Sequence, residues 1–276
     1  MTHFVTTDQF DKFFNENTEN KAAKENEDPL TDIKTVNPGN IGWIQGKVND
    51  EWMKYLWECI EQSKKDDKSW KDRLIGHVET SLSLTDKDNL FFKQCLLPLV
   101  YTYEKLYSDG ISSDLRSGTT LFTKKSKYTF VLREWWVNFQ KAGDFQPLHN
   151  HGGIFSFVIW MKIPFDYEEQ NKNPIAATAN SKKISAFNFT YSDLLGGIRE
   201  YTYDLSSSDA GKMVFFPAKL NHSVCPFFNC EEDRISISGN ICMEYLGEVS
   251  AGESSKAVNA KSSVGKEELP WMNDDA

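Results

Sequence analysis

The sequence predicts a mainly β protein, a jelly roll with flanking helices packed on one sheet. Three observations predict it. Two helical patterns come first, the hydrophobic period then changes from helical to alternating after Ser117, and seven strand-like segments follow between turn signals. Seven or eight strands of this length close most economically as a jelly roll. At 276 residues and 31.7 kDa the chain can bury a substantial core.

Residues 1–34 are polar and acidic without an apolar period, so a flexible lead-in is expected, which Phe10, Phe13 and Phe14 could anchor. A helical support region is expected over 35–117. From Asn49 the segment NDEWMKYLWECIEQSKK opens on a capping residue and early acids and closes on lysines. It places Trp52, Leu56, Cys59 and Ile60 at helical spacing. A second amphipathic helix is expected over 88–107, with Phe91, Cys95, Leu96, Val100 and Tyr103 on its buried face and a kink at Pro98.

The β core is expected over 118–249, with strands at 127–140, 154–163, 183–191, 199–205, 212–216, 221–225 and 234–246. In 154–163, Phe155, Phe157, Ile159, Met161 and Ile163 alternate onto one face, as a half-buried sandwich strand requires. Phe215 and Phe216 read as core. The tail, 250–276, has the composition of a solvated extension, where Trp271 and Met272 could dock.

Composition excludes several classes. Mean hydropathy is −0.52, and no stretch reaches the ~18 uninterrupted apolar residues of a spanning helix. The start lacks a basic, then apolar leader, so a soluble, cytoplasmic protein is expected. The net charge of −9 sits mostly in the two end segments, which argues against nucleic acid as a partner. Five scattered cysteines suit reduced thiols; Cys225 and Cys230 are close enough for a zinc clip but lack a second pair, so packing is the simpler role. No P-loop, dinucleotide fingerprint, GxSxG or HExxH motif is present.

His149, His151 and His222 all fall in the β half. On an extended strand, residues i and i+2 project to one side, so His149 and His151 can face one ion while Asn150 faces away. With His222 from a later strand they would form a three-point metal face with open positions opposite; imidazole suits iron, zinc and copper alike. A lone HxH serves equally well as packed histidines. The segment RISISGN shifts that balance, because Arg234, Ser236, Ser238 and Asn240 share one face while Ile235, Ile237 and Ile241 share the other. An inward arginine calls for an anion: a bound carboxylate, or a buried acid on an adjoining strand. Trp136 and Asn138 lie on one face of 127–140 and could border such a ligand or simply pack. His3 and His77 show no partner arrangement and read as non-ligands. Gly152 and Gly153 read as a turn beside the metal.

The stretches GDFQPLHNHGGIFSFVIWMKIP, FFPAKLNHSVCPF and EEDRISISGNI resemble the 2OG-Fe(II) oxygenase group related to prolyl hydroxylases, of the marine microbial and phage type. The resemblance runs from about Tyr128 to Leu246. It implies a double-stranded β-helix of cupin-like type. It also implies Fe(II) held by His149, His151 and His222, and 2-oxoglutarate held by Arg234 and Ser236 with Asn138 beside them. The reaction implied is hydroxylation of a C–H bond in a peptide, prolyl or small-molecule substrate by O2, with succinate and CO2 released; a phage protein would work in its host's cytoplasm. Most of the superfamily carries a carboxylate where this chain has His151. Three neutral imidazoles would leave the ion at +2 instead of +1. His151 is read as the third ligand, the alternative being a flanking residue with water completing the site. Two other classes fit the residues: a cupin-type three-histidine dioxygenase or isomerase that does not use 2-oxoglutarate, and a non-catalytic jelly-roll binding module.

Overall fold

The computed structural model describes residues 42–107 and 126–248, all within the compact unit Gly39–Ala276. The expected lead-in with Phe10, Phe13 and Phe14, the tail with Trp271 and Met272, and His3 lie outside the described residues. Among the described residues no helix is long and apolar enough to cross a membrane.

Among the described residues, ten strands form two antiparallel sheets. They are β1 (Ile44–Lys47), β2 (Thr80–Ser83), β3 (Ser126–Gln140), β4 (Gln146–His149), β5 (Phe155–Lys162), β6 (Phe187–Ser192), β7 (Ile198–Tyr203), β8 (Lys212–Pro217), β9 (Asn221–Val224) and β10 (Arg234–Glu248). One sheet has the order β1-β8-β5-β10-β3-β2 and the other β4-β9-β6-β7. Both long strands, β3 and β10, pair along their length, with bulges at Asn240/Ile241 and Tyr245/Gly247.

The period-2 pattern sorts side chains between two cores. Trp135, Val137 and Phe139 of β3, Ile235, Ile237 and Ile241 of β10, and Phe155, Phe157, Ile159 and Met161 of β5 face the helices. Val158 and Trp160 of β5 and Val214 and Phe216 of β8 face Phe187, Phe189 and Tyr203 of the smaller sheet. Strand β5 is therefore buried on both faces and not the half-buried strand expected, and Ile163, beyond its end, joins the inter-sheet core. The helices supply the second cover. Gly239 shows how close the packing is: a Cβ there would stand 2.7 Å from the Phe157 ring.

Helix α1 (Asp50–Asp66) starts where expected, with the Asn49 side chain accepting from the Trp52 N–H, and buries Leu56, Cys59 and Ile60 while Trp52 is only partly covered. The second helix is not one regular element. A 3-10 turn at Lys87–Asn89 leads into a π turn at Phe92–Leu96 and then α2 (Leu97–Leu106), with Pro98 in its first turn. Proline offers no N–H to the preceding turn, and the wider turn just before it accommodates that loss. Phe91, Leu96, Val100 and Tyr103 are buried as expected, together with Phe92, whereas Cys95 is half-buried.

The expected strand at 183–191 begins only at Phe187. Ser185 has φ +66° in a turn whose N–H donates to the Pro226 carbonyl. Three four-residue strands, β1, β2 and β4, and two short helices, α3 (Tyr167–Asn171) and α4 (Pro174–Ala177), were outside the expected set.

Candidate active site

Strands β4 and β9 pair so that His149 stands opposite His222. His151 is not on the strand, contrary to expectation. It sits in the turn after β4, where its N–H donates to the Ala218 carbonyl and Lys219 donates to its carbonyl. That turn needs Gly153, at φ +91°, where a Cβ would come within 2.7 Å of the Ile241 carbonyl oxygen. Asn150 does face away and bonds to Asn221.

The three rings converge, with their ligand atoms all within 4.8 Å of one another. His151 Nε2 and His222 Nε2 are 3.0 Å apart. Two nitrogens on adjacent positions of one ion, each at about 2.1 Å, would stand about 3 Å apart. Nδ1 of His149 lies 2.7 Å from the Pro147 carbonyl and Nδ1 of His222 lies 3.0 Å from the Leu220 carbonyl. A carbonyl only accepts, so in both neutral rings Nδ1 carries the proton and Nε2 presents its lone pair. Burial is the main cause that lowers all three pKa values: His149 below the usual histidine range, His151 to about 3, and His222 well below. Neutral, pre-oriented imidazoles are what a transition metal binds.

Facing the rings, β3 and β10 present Trp136, Asn138, Gln140, Ser236 and Ser238 into a cavity of about 20 Å³, room for about one water. Three alternate residues of β3 each hold a buried polar atom with no hydrogen-bond partner: Trp136 Nε1, Asn138 Oδ1 and Gln140 Nε2. Such atoms are costly unless something meets them.

Arg234 is 1% exposed and follows the predicted alternation into the interior. Its partners differ from the buried acid considered above. Nε donates to Gln140 Oε1, and Nη1 and Nη2 donate to the Ser185 and Cys225 carbonyls. The rings of Phe165 and Phe227 flank it. No acid pairs with it among the described residues, and burial lowers its pKa to about 10. Gln140 stands between this guanidinium and the histidine cavity, a position with no signal in the sequence.

A second cavity, about 260 Å³, opens beside His149 and His151. It shares Trp136, Gln146, His149 and His151 with the first and adds Trp70, Arg73, Leu74, Ile75, Glu134 and Asn240. His77 is not isolated as expected: Nε2 lies 3.5 Å from Asp144. Among the described residues the histidine trio is the one group of three or more such side chains that could hold a metal ion.

Residues 134–240 match the model of the family described as "Putative 2OG-Fe(II) oxygenase". The chain is similar in structure to a Pseudomonas putida prolyl-4-hydroxylase, at 13% identity and TM-score 0.40, over 72% of this chain and 92% of that one. It is also similar to an oxidoreductase of the 2OG-Fe(II) oxygenase family from Burkholderia pseudomallei, at 14% identity and TM-score 0.29, over 51% of this chain and 55% of that one. A mutant Bacillus subtilis oxalate decarboxylase matches at 12% identity and TM-score 0.24, over 46% of this chain and 29% of that one. The match thus spans about half of the Burkholderia chain and under a third of the decarboxylase. Likenesses at these scores say nothing of activity. No curated protein matches the chain. The matched residues 134–240 carry the three histidines and the inner walls of β3 and β10.

Proposed function

We propose that the protein hydroxylates a C–H bond of a peptide, prolyl or small-molecule substrate while 2-oxoglutarate is converted to succinate and CO2. One oxygen atom of O2 goes to the substrate and the other to succinate. The observation that carries the reading is the convergence of three neutral imidazoles on one point, beside a cavity bordered by unsatisfied polar groups that lead to a buried guanidinium with no acid partner among the described residues.

The residues fit the metal. His149, His151 and His222 would hold Fe(II), which supplies the oxidative chemistry when bound. The cosubstrate site fits in charge. Arg234 is a buried cation without an acid among the described residues, and Ser236, Asn138 and Gln140 line the path from it to the rings. A dicarboxylate would offset that charge and give Gln140 Nε2 an acceptor. The volume is another matter. Room for one water does not admit a five-carbon diacid, so lining side chains must rotate, and Asn138 and Gln140 have hydrogen bonds to gain by doing so. Trp136, Trp160 and Phe187 then exclude water from the rings.

A three-histidine enzyme that does not use 2-oxoglutarate is the second reading, favoured by the neutral partners that already occupy Nε, Nη1 and Nη2 of Arg234. Release of labelled CO2 from C1 of 2-oxoglutarate by the Fe(II)-loaded protein separates the two. Decarboxylation is expected, abolished in His222→Ala. In Arg234→Met the 2-oxoglutarate requirement should rise about a hundredfold or more with iron affinity unchanged, because charge-assisted hydrogen bonds are lost at one end only. A folded, metal-loaded protein that consumes oxygen without 2-oxoglutarate selects the second reading.

A further inference from the structure

The second cavity holds two opposite charges whose placement is built from behind. Glu134 Oε2 accepts from Asn240 Nδ2 at 2.5 Å, and Asn240 Oδ1 accepts from the buried Ser156 hydroxyl at 2.7 Å. Arg73 lies over the Trp70 ring, its guanidinium carbon 4.4 Å from the ring centroid, and Trp70 stacks on Trp136 at 5.5 Å and 10°. The two charges are therefore held side by side, Arg73 Nη1 being 3.8 Å from Glu134 Oε1. At that distance, with the Arg73 side chain 65% exposed, the pair contributes little to stability. Each charge keeps bonding capacity for something else.

Trp136 in turn meets His151, with ring centroids 5.7 Å apart and the rings tilted by 41°. The same cavity thus runs from the charge pair along an aromatic wall to the rings that would hold the metal.

Resting on the hydroxylase reading above, we propose that this cavity binds the substrate to be oxidised, and that the substrate is a free α-amino acid. An amino acid carries an ammonium and a carboxylate on a single carbon, so adjacent anionic and cationic side chains can engage both at once. The carboxylate would take the Arg73 fork and the ammonium the outward oxygen of Glu134. The side chain then lies along Trp136 toward His149 and His151. A volume of about 260 Å³ accommodates a molecule of this size. An internal residue of a peptide has neither an α-ammonium nor an α-carboxylate to offer.

The test is calorimetric titration of the full-length protein with the twenty free L-amino acids and with the N-acetyl and carboxamide derivative of each. At least one free amino acid should bind saturably, and blocking either group should weaken it roughly tenfold or more. Arg73→Ala should erase the penalty for amidation, and Glu134→Gln, which keeps the Asn240 contact in kind, should erase the penalty for acetylation. Binding by none of the free amino acids, equal binding of blocked forms, or penalties unchanged in both variants would overturn the proposal. Amino-acid binding without any 2-oxoglutarate decarboxylation removes the hydroxylase reading and leaves the site; decarboxylation without amino-acid binding does the reverse.

Discussion

Burial keeps the rings of His149, His151 and His222 neutral, and that has a consequence for stability. In the unfolded chain each ring titrates near 6.5, whereas in the folded protein all three lie lower, His151 at about 3. Below pH 6.5 the unfolded state binds more protons, so stability is fully present above that pH and is lost as pH falls toward the folded values. Each ring that stays neutral contributes about 1.4 kcal/mol per pH unit to that loss. Urea unfolding of the metal-free protein should show stability level from pH 8 to 7 and falling between 6.5 and 5; a rise over that interval contradicts the account. At this scale the sequence is legible where chemistry and period coincide. The HNH triplet, His222 and the alternation after Arg234 name residues whose types are unusual for a sandwich interior. Gln140, Glu134 and Arg73 are not legible, because each acquires its part only from a partner far along the chain: Arg234, Asn240 and Glu134 respectively.

The turn between β4 and β5 is the element on which the site depends. Gly153 carries φ +91° with the Ile241 carbonyl pressed against its missing side chain, and it follows His151 by two residues. Gly153→Ala should cost about 2 kcal/mol or more, from the left-handed backbone and the displaced carbonyl together, and should weaken Zn(II) or Ni(II) binding as His151 shifts. Unchanged thermal stability and metal affinity would show that the turn does not set the ring. Long elements are the legible ones. Strands β3 and β10 run for 15 residues each and α1 for 17, long enough for a period to stand out. Strands β1, β2 and β4 have four residues each, too few to show alternation, and their pairing comes from the sheet they join. The turn at Ser185 interrupts a β-like run because its carbonyl is held on Arg234, a contact across 49 residues.

For the molecule as a whole, the larger sheet separates two tasks. Its outer face, covered by α1, α2 and the π turn, is an apolar core with no site chemistry. Its inner face is divided: Val158, Trp160, Val214 and Phe216 pack against the smaller sheet, while β3 and β10 turn polar residues toward the histidines of β4 and β9. The expected jelly roll with helices on one sheet is legible because two helical patterns are followed, after Ser117, by seven strand-like runs between turn signals, whereas the two-sided cover of β5 is not. The division of the inner face is not, since it depends on which strands become neighbours. Both cavities meet at His149 and His151, so a metal held by the trio would lie between the polar chamber of β3 and β10 and the charge-paired cleft. The most direct measurement is the visible absorption of the Fe(II)-loaded protein titrated with 2-oxoglutarate in the absence of oxygen. A weak charge-transfer band should grow to saturation, vanish in His222→Ala, and need about a hundredfold more 2-oxoglutarate in Arg234→Met. A folded protein that binds iron and shows no such band at any 2-oxoglutarate concentration would contradict it.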